Sequence, residues 1–549
     1  MLSAATNWWK KDTTLHSFLF VQFLIGLPFF VFGTYSLYQI QTVGFLIGHD
    51  GTGQPCATYC IVPWAGSEKD INAIILYLNA LTFGLGGVVT LLLAAYSDYW
   101  RHKHILVTGS IVLYGAFSVP AYWLQSYTLY NLNVLSALYI LFQVITLVLM
   151  AILNIYIPHC MRLTQVTAPD DGSATSSVMV SESLAECSNG KRKYGFNMSL
   201  LGMVMNGVGG IVVYAVVIIL TQTLSGEAAQ SSGLLVSTVI GFVTMAGSGV
   251  AYLGLPALPS RSISELRGSI FRPVVELIMP LKELLVRKNM AALLVSYTIW
   301  TDTIFAINSN ISQLFIAEIR PGALEFSLYS LAQSLFLLGT SLAFLFIQPQ
   351  FRIRLETWYI VGLVVTLIVP AWACIGIADV NFGSKFLVTH PPSHHYTVLT
   401  RGSPNLQMRW EFYIQILLLQ LAQAFVNGAF RVLLSEMIPI GSEIRWFGMQ
   451  LVLSCGTVWV NYVASAPLQN ATHQLRFPLI LSLVFLVVAI VLEAARVSLG
   501  VFRRDAEKWR RIDKTGMFDE DPVAGGEAVV SSAEGEKQAQ VHSQQVPPS

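Results

Sequence analysis

Long apolar segments separated by short polar links dominate this sequence and limit what it can fold into. Of the 549 residues, 54% are hydrophobic and only 11% are charged, whereas about a quarter of the residues in soluble proteins are charged. A bilayer core about 30 Å thick requires about 20 apolar residues in each spanning helix. The sequence therefore predicts an all-α, polytopic membrane protein.

Twelve segments have the length and hydropathy of a membrane span. They are residues 17–41, 72–96, 104–124, 134–156, 197–221, 232–254, 290–316, 326–347, 357–378, 411–434, 447–466 and 477–499. The first segment is too long for the hydrophobic region of a cleavable signal peptide. We therefore expect it to remain in the membrane as the first of about twelve transmembrane helices.

The basic residues predict the orientation of these helices. Most of the 32 lysines and arginines fall on segments that are cytosolic if the N-terminus is cytosolic. Cytosolic loops of membrane proteins carry such an excess of positive charge. The sequence thus predicts cytosolic N- and C-termini, and the exception is the outer loop 379–410, which carries Lys385, Arg401 and Arg409.

The layout divides the chain into two halves. The predicted parts are a cytosolic N-terminus at 1–16, a six-helix half at 17–254 with a flexible cytosolic loop at 159–196, a basic cytosolic linker at 255–289, a second six-helix half at 290–499 and a largely disordered cytosolic tail at 500–549. Transporters built from internal repeats share this layout. It predicts a major facilitator-like fold, although receptors and channels can also contain twelve helices.

A polar stripe runs along the predicted tenth helix. Gln423, Asn427 and Arg431 are spaced i, i+4, i+8 and so share one helical face. Gln423 lies too deep to reach the lipid headgroups, so this face is expected to meet a polar cavity or another helix. Arg431 has an alternative, since it lies about one turn from the helix end and can extend to the headgroups beside Glu436.

The predicted seventh helix places an acid near the bilayer midplane. Asp302 lies about 18 Å from the cytosolic end at 1.5 Å per residue. An acid at this depth is a candidate proton carrier or a partner for a substrate ammonium group. The alternative is an acid that is protonated or hydrogen-bonded to a neighbouring helix. We expect Asp302 to face a central cavity, where Asn206, Asn308 and Gln423 supply hydrogen bonds.

Small residues interrupt the predicted fifth helix in the run Asn206-Gly207-Val208-Gly209-Gly210. Small residues allow helices to approach closely and to bend. The run therefore predicts helix packing and a hinge. A phosphate-binding loop is excluded because no strand precedes it.

Cysteines and a glycosylation motif characterise two predicted outer loops. Cys56 and Cys60 lie in the loop after the first helix, where a disulfide is favoured over two free thiols. Asn470 begins an Asn-Ala-Thr sequence in a predicted short outer loop and is the candidate glycan acceptor.

The predicted outer loop 379–410 contains three histidines, His390, His394 and His395. They resemble a metal-binding cluster, but a solvated, proline-rich loop is the favoured interpretation. The sequence contains no nucleotide-binding, zinc-protease or nucleophile motif. It therefore predicts neither an enzyme, nor a metal site, nor a cofactor.

The link between the second and third helices reads SDYWRHKHIL and contains Asp98 and Arg101. It resembles part of the Gly-x-x-x-Asp-x-x-Gly-Arg-Lys link of the major facilitator superfamily. In that superfamily the acid caps neighbouring helix ends and latches the two halves in one state. The alternative is a charge cluster at the membrane interface, but the position between these two helices favours the resemblance.

The end of the tenth helix carries a more specific resemblance. The sequence FRVLLSEMIPIGSEIRWFGM is similar to the exit of the tenth helix in the fungal autophagy-related vacuolar amino-acid effluxer family. The matching residues are Arg431, Leu433, Ser435, Glu436, Ile438, Pro439, Gly441, Glu443 and Phe447. The order of the other elements agrees. Two features depart from the family: the first helix offers Gln22 where an acid is usual, and the eleventh helix lacks an expected lysine.

The resemblance implies a multi-pass permease of the vacuolar membrane. It would return leucine and other neutral amino acids to the cytosol after autophagic breakdown, by alternating access of the two halves. The implied partners are amino acids, protons as a candidate coupling ion and the lipid bilayer, without nucleic acid. Two alternatives stay open: a carrier of the same superfamily for another small solute, and a membrane scaffold in autophagy that transports nothing. Arg431, Glu436, Glu443, Asp98 and Arg101 are the predicted gating or structural charges.

Overall fold

The structure is a computed structural model that describes most of the membrane-embedded part of the chain. The described residues are 13–56, 59–97, 99–100, 102–154, 156–157, 177–257, 273–274, 288–351, 353–375, 409–437, 443–473 and 475–496. The chain divides into Met1–Val497 and Ser498–Ser549, and all described residues belong to the first of these units.

Long helices account for nearly all of the described chain. They are α1 Thr13–Ile47, α2 Ile71–Ser97, α3 Lys103–Ser118, α4 Leu129–Asn154, α5 Ser177–Thr223, α6 Ser232–Gly254, α7 Lys288–Ile319, α8 Ala323–Gln350, α9 Leu355–Cys374, α10 Arg409–Met437, α11 Glu443–Thr472 and α12 Phe477–Arg496. Each of the twelve predicted spans overlaps one of them. In the described residues, eleven helices are long and apolar enough to cross a membrane, and α11 is the more polar exception.

Short elements complete the described chain. Strands β1, Ile61–Trp64, and β2, Ser67–Asp70, form an antiparallel hairpin between α1 and α2. Ala65 and Gly66 have φ angles of 50° and 79°, which is the conformation of a two-residue hairpin turn. A 3₁₀ helix, Val119–Leu124, extends α3, and a one-turn helix, Glu227–Gln230, precedes α6. We call the side of the bundle that carries the β1–β2 hairpin the hairpin end.

The predicted loop 159–196 is partly helical, so this prediction is wrong for its second half. Helix α5 begins at Ser177 and runs without a break to Thr223. Residues 182–186 read ESLAE, and Glu, Leu and Ala all favour helix. The serine-rich composition favoured a loop, but from Ser177 onward the chain is helical. Residues 158–176 lie outside the described part of the chain.

Helices α2 and α5 each pack along a helix of the other half. Helix α2 packs along α11, and α5 packs along α8. The glycine run in α5 permits this packing, because a Cβ atom on Gly209 would lie 2.8 Å from the Phe23 carbonyl oxygen of α1. A Cβ atom on Gly207 would lie 3.3 Å from the Ser334 carbonyl oxygen of α8. The predicted packing role of this run therefore corresponds to close contacts on both sides of α5.

The outer surface of the helices is apolar. Large hydrophobic side chains are exposed there, for example Leu253, Phe346 and Val491. The interior instead buries aromatic side chains such as Trp300 and Trp446 together with many polar ones. This distribution suits a bundle whose surroundings are lipid tails, because polar groups must then find their partners inside the protein.

A polar contact joins the two halves at the hairpin end. Asp70, at the end of β2, is fully buried, and its Oδ2 atom lies 2.9 Å from Nδ1 of His473. The Asp70 backbone N–H donates to Oδ1 of Asn470 over 3.0 Å. The Tyr59 ring stacks on His473 with 4.2 Å between ring centroids. Burial raises the pKa of Asp70 above its ordinary value, and the His473 contact opposes that effect.

The position of Asn470 corrects the predicted loop. Asn470 lies in the last turn of α11, which ends at Thr472. Its side-chain oxygen is engaged by Asp70. The predicted span ended at residue 466, but α11 continues through Pro467 to Thr472. An acceptor in this helical turn is less open than the loop that was expected for a glycan site.

We expect His473→Phe to destabilise the protein at neutral pH, by about 1–3 kcal/mol, because it removes a hydrogen-bond partner from a buried carboxylate. The raised pKa of Asp70 means that the folded state holds its proton to a higher pH than the unfolded state. The contribution of Asp70 to the stability of the fold is therefore complete below its pKa in the unfolded state. That contribution is lost as the pH rises through its pKa in the folded state. The deficit of the variant should accordingly shrink as pH falls and Asp70 becomes neutral.

Thermal unfolding of the purified protein at several pH values measures this effect. The matched control is His49→Phe, since His49 forms an exposed pair with Glu68 at 3.7 Å, and exposed pairs contribute little. A deficit of His473→Phe that is the same at all pH values would instead reflect the backbone of His473, whose φ angle is 53°.

Candidate substrate cavity

A central cavity lies between the two halves and has two adjoining compartments. The first has a volume of about 240 Å³ and reaches Arg431, and we call it the arginine compartment. The second has a volume of about 220 Å³ and lies nearer the hairpin end, and we call it the hairpin compartment. The residues that line both are Phe29, Phe30, Phe83, Leu147, Met150, Phe305, Asn308 and Gln333.

Carboxamide side chains line the arginine compartment from several helices of both halves. They are Gln22, Asn154, Asn206, Asn308, Gln333, Gln420, Gln423, Asn427 and Gln450. Among the described residues that line this compartment, Arg431 is the single charged side chain. A carboxamide both donates and accepts hydrogen bonds. The compartment therefore combines one positive charge with neutral groups that adapt to either a donor or an acceptor.

The polar stripe of α10 faces this compartment. Gln423, Asn427 and Arg431 all line it, as their common helical face requires. Asn427 Oδ1 accepts a hydrogen bond of 2.8 Å from the Tyr297 hydroxyl of α7. The Tyr297 ring stacks on Phe430 with its centroid 3.4 Å away. The stripe is thus held in place by α7, its neighbour in the same half.

Arg431 also spans the interface between the halves. Its Nη1 atom donates to Oγ of Ser199 in α5 over 3.2 Å. The side chain points into the bundle and lines the cavity, so the alternative in which it extends to the headgroups is not the one observed. Arg431 therefore lines the cavity and also contributes to the contact between α5 and α10, at the end of the bundle opposite the hairpin.

Asp302 does not face the cavity, and this expectation from the sequence is wrong. It is 5% exposed and is not among the residues that line either compartment. Its carboxyl group interacts with the Thr457 hydroxyl of α11, and its Oδ1 atom has no hydrogen-bond partner. The cavity-lining face of α7 instead follows Tyr297, Thr301 and Ile304. The helix that carries Asp302 was predictable from the sequence, but the direction of the side chain around the helix axis was not.

The other predicted site residues fall into three groups. Asn206 and Asn308 line the cavity. Cys56 and Cys60 are joined by a disulfide with Cα atoms 5.1 Å apart. Outside the described part of the chain lie Asp98, Arg101, the histidines of loop 379–410 and the side chains of Glu436 and Glu443.

Several cavity residues were missed by the sequence analysis. Gln333, Gln450 and Tyr297 line the arginine compartment, and Gln41, Gln143 and Gln313 line the hairpin compartment. Each glutamine is a carboxamide inside a predicted apolar span, which was the available signal. A single amide in a helix is nevertheless more often a contact between helices, so this signal alone does not identify a cavity residue.

Two halves of six helices around a central cavity define the fold of a major facilitator superfamily transporter. The human organic anion transporter MFSD10 has a similar structure, with a TM-score of 0.53 and 13% sequence identity. That likeness covers 88% of this chain and 99% of the other. The predicted major facilitator-like fold is therefore confirmed.

The chain belongs to the family described as "Vacuole effluxer Atg22 like", whose model matches residues 10–506. Autophagy-related protein 22 of Candida albicans is 23% identical over 496 residues, which are 88% of this chain and 89% of that protein. The family predicted from the tenth-helix motif is thus confirmed. Its members are membrane transporters rather than enzymes.

We expect Tyr297→Phe to raise the KM of transport about threefold to tenfold, because it removes the hydroxyl that orients Asn427 in the cavity. Tyr359→Phe is the matched control, since the Tyr359 hydroxyl contacts Ser296 at 3.1 Å and does not line the described cavity. Solute flux into vesicles, measured as a function of solute concentration, tests both variants. Equal effects of the two substitutions would contradict a role of Tyr297 in the cavity.

Proposed function

We propose that this protein exports neutral amino acids, leucine among them, from the vacuole to the cytosol by alternating access. The observation that carries the proposal is the arginine compartment, in which Arg431 is surrounded by carboxamides from both halves. Membership in a vacuolar effluxer family supports the direction and the membrane. In this orientation the hairpin end faces the vacuolar lumen and both termini are cytosolic.

The chemistry of the arginine compartment fits an amino acid. A guanidinium group binds a carboxylate through two parallel hydrogen bonds. The surrounding carboxamide oxygens accept hydrogen bonds from an ammonium group. Because no described lining residue is acidic, the compartment offers no charge that would select a basic side chain. A neutral amino acid therefore matches the lining better than a cationic one.

The size of the cavity restricts the solute. The arginine compartment has a volume of about 240 Å³, below the roughly 300–1,000 Å³ of pockets that enclose drug-sized ligands. The aromatic rings of Phe29, Phe30 and Phe305 line it beside the amides. A single amino acid with an apolar or aromatic side chain suits such a space.

Alternating access requires that contacts at the two ends of the cavity break in turn. Arg431–Ser199 joins the halves at the predicted cytosolic end, and Asp70–His473 joins them at the hairpin end. Transporters of this architecture move by rocking one half against the other around a fixed site. We therefore propose that the cavity opens to the cytosol when α5 separates from α10. It opens to the lumen when β2 separates from α11.

The first test is efflux of labelled leucine and tyrosine from vacuolar vesicles, with and without the protein, at acidic and neutral lumenal pH. We expect efflux that depends on the protein. Arg431→Gln should raise the KM at least tenfold, because it removes a hydrogen-bonded charge partner of the carboxylate. Arg431→Lys keeps the positive charge but loses the guanidinium group that forms two parallel hydrogen bonds. Its KM should therefore lie between the KM of the unaltered protein and that of Arg431→Gln.

No flux of any amino acid would remove the substrate assignment while the fold stands. Flux of a different small solute would favour the alternative carrier, and no flux at all would favour the scaffold. Unchanged leucine kinetics in Arg431→Gln would contradict the carboxylate role of this residue.

Asp302 is the proposed proton site, although it lies behind the cavity wall. It is buried between α7 and α11, two helices that contribute Thr301 and Ser454 to the lining. A change in its charge would therefore alter how these helices pack. We expect Asp302→Asn to transport leucine with a rate that no longer depends on lumenal pH.

Glu493→Gln is the matched control for Asp302→Asn. Glu493 in α12 is also buried, at 2% exposure, and its Oε2 atom also has no hydrogen-bond partner. It does not line the described cavity. Transport by Asp302→Asn with the pH dependence of the unaltered protein would overturn the proton role.

A further inference from the structure

The hairpin compartment has a lining that differs in charge from the arginine compartment. None of the described residues that line it is charged. Hydroxyl and amide groups alternate there with aromatic rings, among them Tyr139, Tyr329 and Tyr462. Oxygen atoms and the faces of aromatic rings both attract cations. The lining therefore offers acceptor oxygens and ring faces to a positive group, whereas none of its described residues carries the positive charge that Arg431 provides in the arginine compartment.

Two buried carbonyl oxygens in this lining have no hydrogen-bond partner. They are Oε1 of Gln41 in α1 and Oε1 of Gln313 in α7, and these residues are 0% and 3% exposed. A buried polar atom without a partner costs free energy. Both residues line the hairpin compartment. The wall of the compartment thus contains two acceptor oxygens that no described group of the protein uses.

The orientation of the Gln41 amide follows from its neighbours. Its Nε2 atom donates to Oδ1 of Asn72 over 2.8 Å and to the backbone carbonyl of Gln313 over 3.3 Å. A backbone carbonyl only accepts, so the nitrogen must point toward it. Gln313 Nε2 lies 3.0 Å from Ser309 Oγ, and Ser309 also receives a hydrogen bond from Asn79. In this arrangement the two Oε1 atoms are the acceptors without a partner.

The contact between Gln41 and Gln313 also joins the two halves. Gln41 belongs to α1, and Gln313 belongs to α7. The two acceptors therefore come together only while the hairpin end is closed. Asn72, the other partner of Gln41, donates its backbone N–H to Oδ1 of Asp70 over 2.8 Å. The pair is thereby linked to the Asp70–His473 contact.

We propose that the hairpin compartment is a cation subsite, in which Gln41 and Gln313 bind the ammonium group of the solute or an inorganic monovalent cation. It is separate from the Arg431 position. From Tyr297 to Gln313, α7 advances sixteen residues, about 24 Å at 1.5 Å per residue. One α-amino acid cannot place its ammonium at Gln313 and its carboxylate at Arg431 at once. The two positions are therefore occupied in sequence.

The inference rests on the proposed function for the identity of the solute. A binding experiment on the purified full-length protein tests the cation subsite separately from the proposed function. Thermal stabilisation is titrated with leucinol, which has the amine without the carboxylate, and with 4-methylpentanoate, which has the carboxylate without the amine. A ligand that binds the folded state raises the unfolding temperature in proportion to its affinity. Sodium and potassium chloride are compared with N-methylglucamine chloride at equal ionic strength.

We expect Gln41→Leu to bind leucinol about tenfold more weakly, because it loses one hydrogen bond to a charged group. The same variant should bind 4-methylpentanoate as tightly as the unaltered protein does. Arg431→Gln should show the reverse pattern. Gln39→Leu is the matched control, because Gln39 is a buried amide of the same helix that donates to the Gln125 carbonyl over 3.1 Å and does not line the compartment.

Gln41→Glu keeps the size of the side chain and provides a variant should Gln41→Leu fail to fold. It should bind leucinol about tenfold more tightly, because a carboxylate attracts the ammonium group directly. A purely structural role of Gln41 predicts no such gain. Stabilisation by sodium or potassium that is lost in Gln41→Leu, with an unchanged leucinol titration, would identify the occupant as the inorganic ion.

Leucinol and salt responses that are the same in the unaltered protein, Gln41→Leu and Gln41→Glu would overturn the subsite. A leucinol response that depends on Gln41, in a protein whose vesicles show no amino-acid efflux, would retain the subsite and remove the proposed function.

Discussion

The structure depends on one constraint: a bilayer supplies no hydrogen-bond partners, so polar groups inside it must be satisfied by the protein or by the solute. The polar side chains of the helices accordingly point toward one another or toward the cavity. The Tyr139 hydroxyl donates to Asn79, and Asn79 donates to Ser309 of the other half. Where helices separate, the same kinds of groups line a cavity. The proposed solute site is therefore built from residues that also hold the halves together.

This construction links binding to movement. Arg431 contacts Ser199 across the halves and also lines the cavity, so a carboxylate at Arg431 competes with or reinforces closure at that end. Gln41 and Gln313 do the same at the hairpin end. Each such contact contributes roughly 0.5–3 kcal/mol, which is the range of coupling energies between sites in allosteric proteins. A few hydrogen bonds are enough to shift the population between the two open states.

The sequence was informative where a physical period or a composition determines the outcome. Hydropathy and length located the twelve long helices, and the 3.6-residue period placed Gln423, Asn427 and Arg431 on one cavity-lining face. Prediction from the sequence failed where the position of a side chain depends on which neighbouring residue it contacts. Asp302 lies in the expected helix but about 100° from Thr301 around the axis of α7, and Asn470 lies in α11 because that helix continues through Pro467. Gln41 and Gln313 come from different halves, so no local pattern joins them.

If the proposed function holds, the two compartments provide a route by which a zwitterion crosses the bundle. Moving a charged group into the membrane is costly unless each charge meets a partner on the way. The hairpin compartment supplies acceptors for the ammonium group, and the arginine compartment supplies a cation for the carboxylate. Between them lie Asn308 and Gln333, which line both compartments and can donate or accept. An amino acid entering from the hairpin end with its ammonium held by Gln41 and Gln313 can direct its carboxylate toward these amides and then toward Arg431. Because the first position exists only while the hairpin end is closed, the solute that completes it also favours the state from which it can leave at the other end.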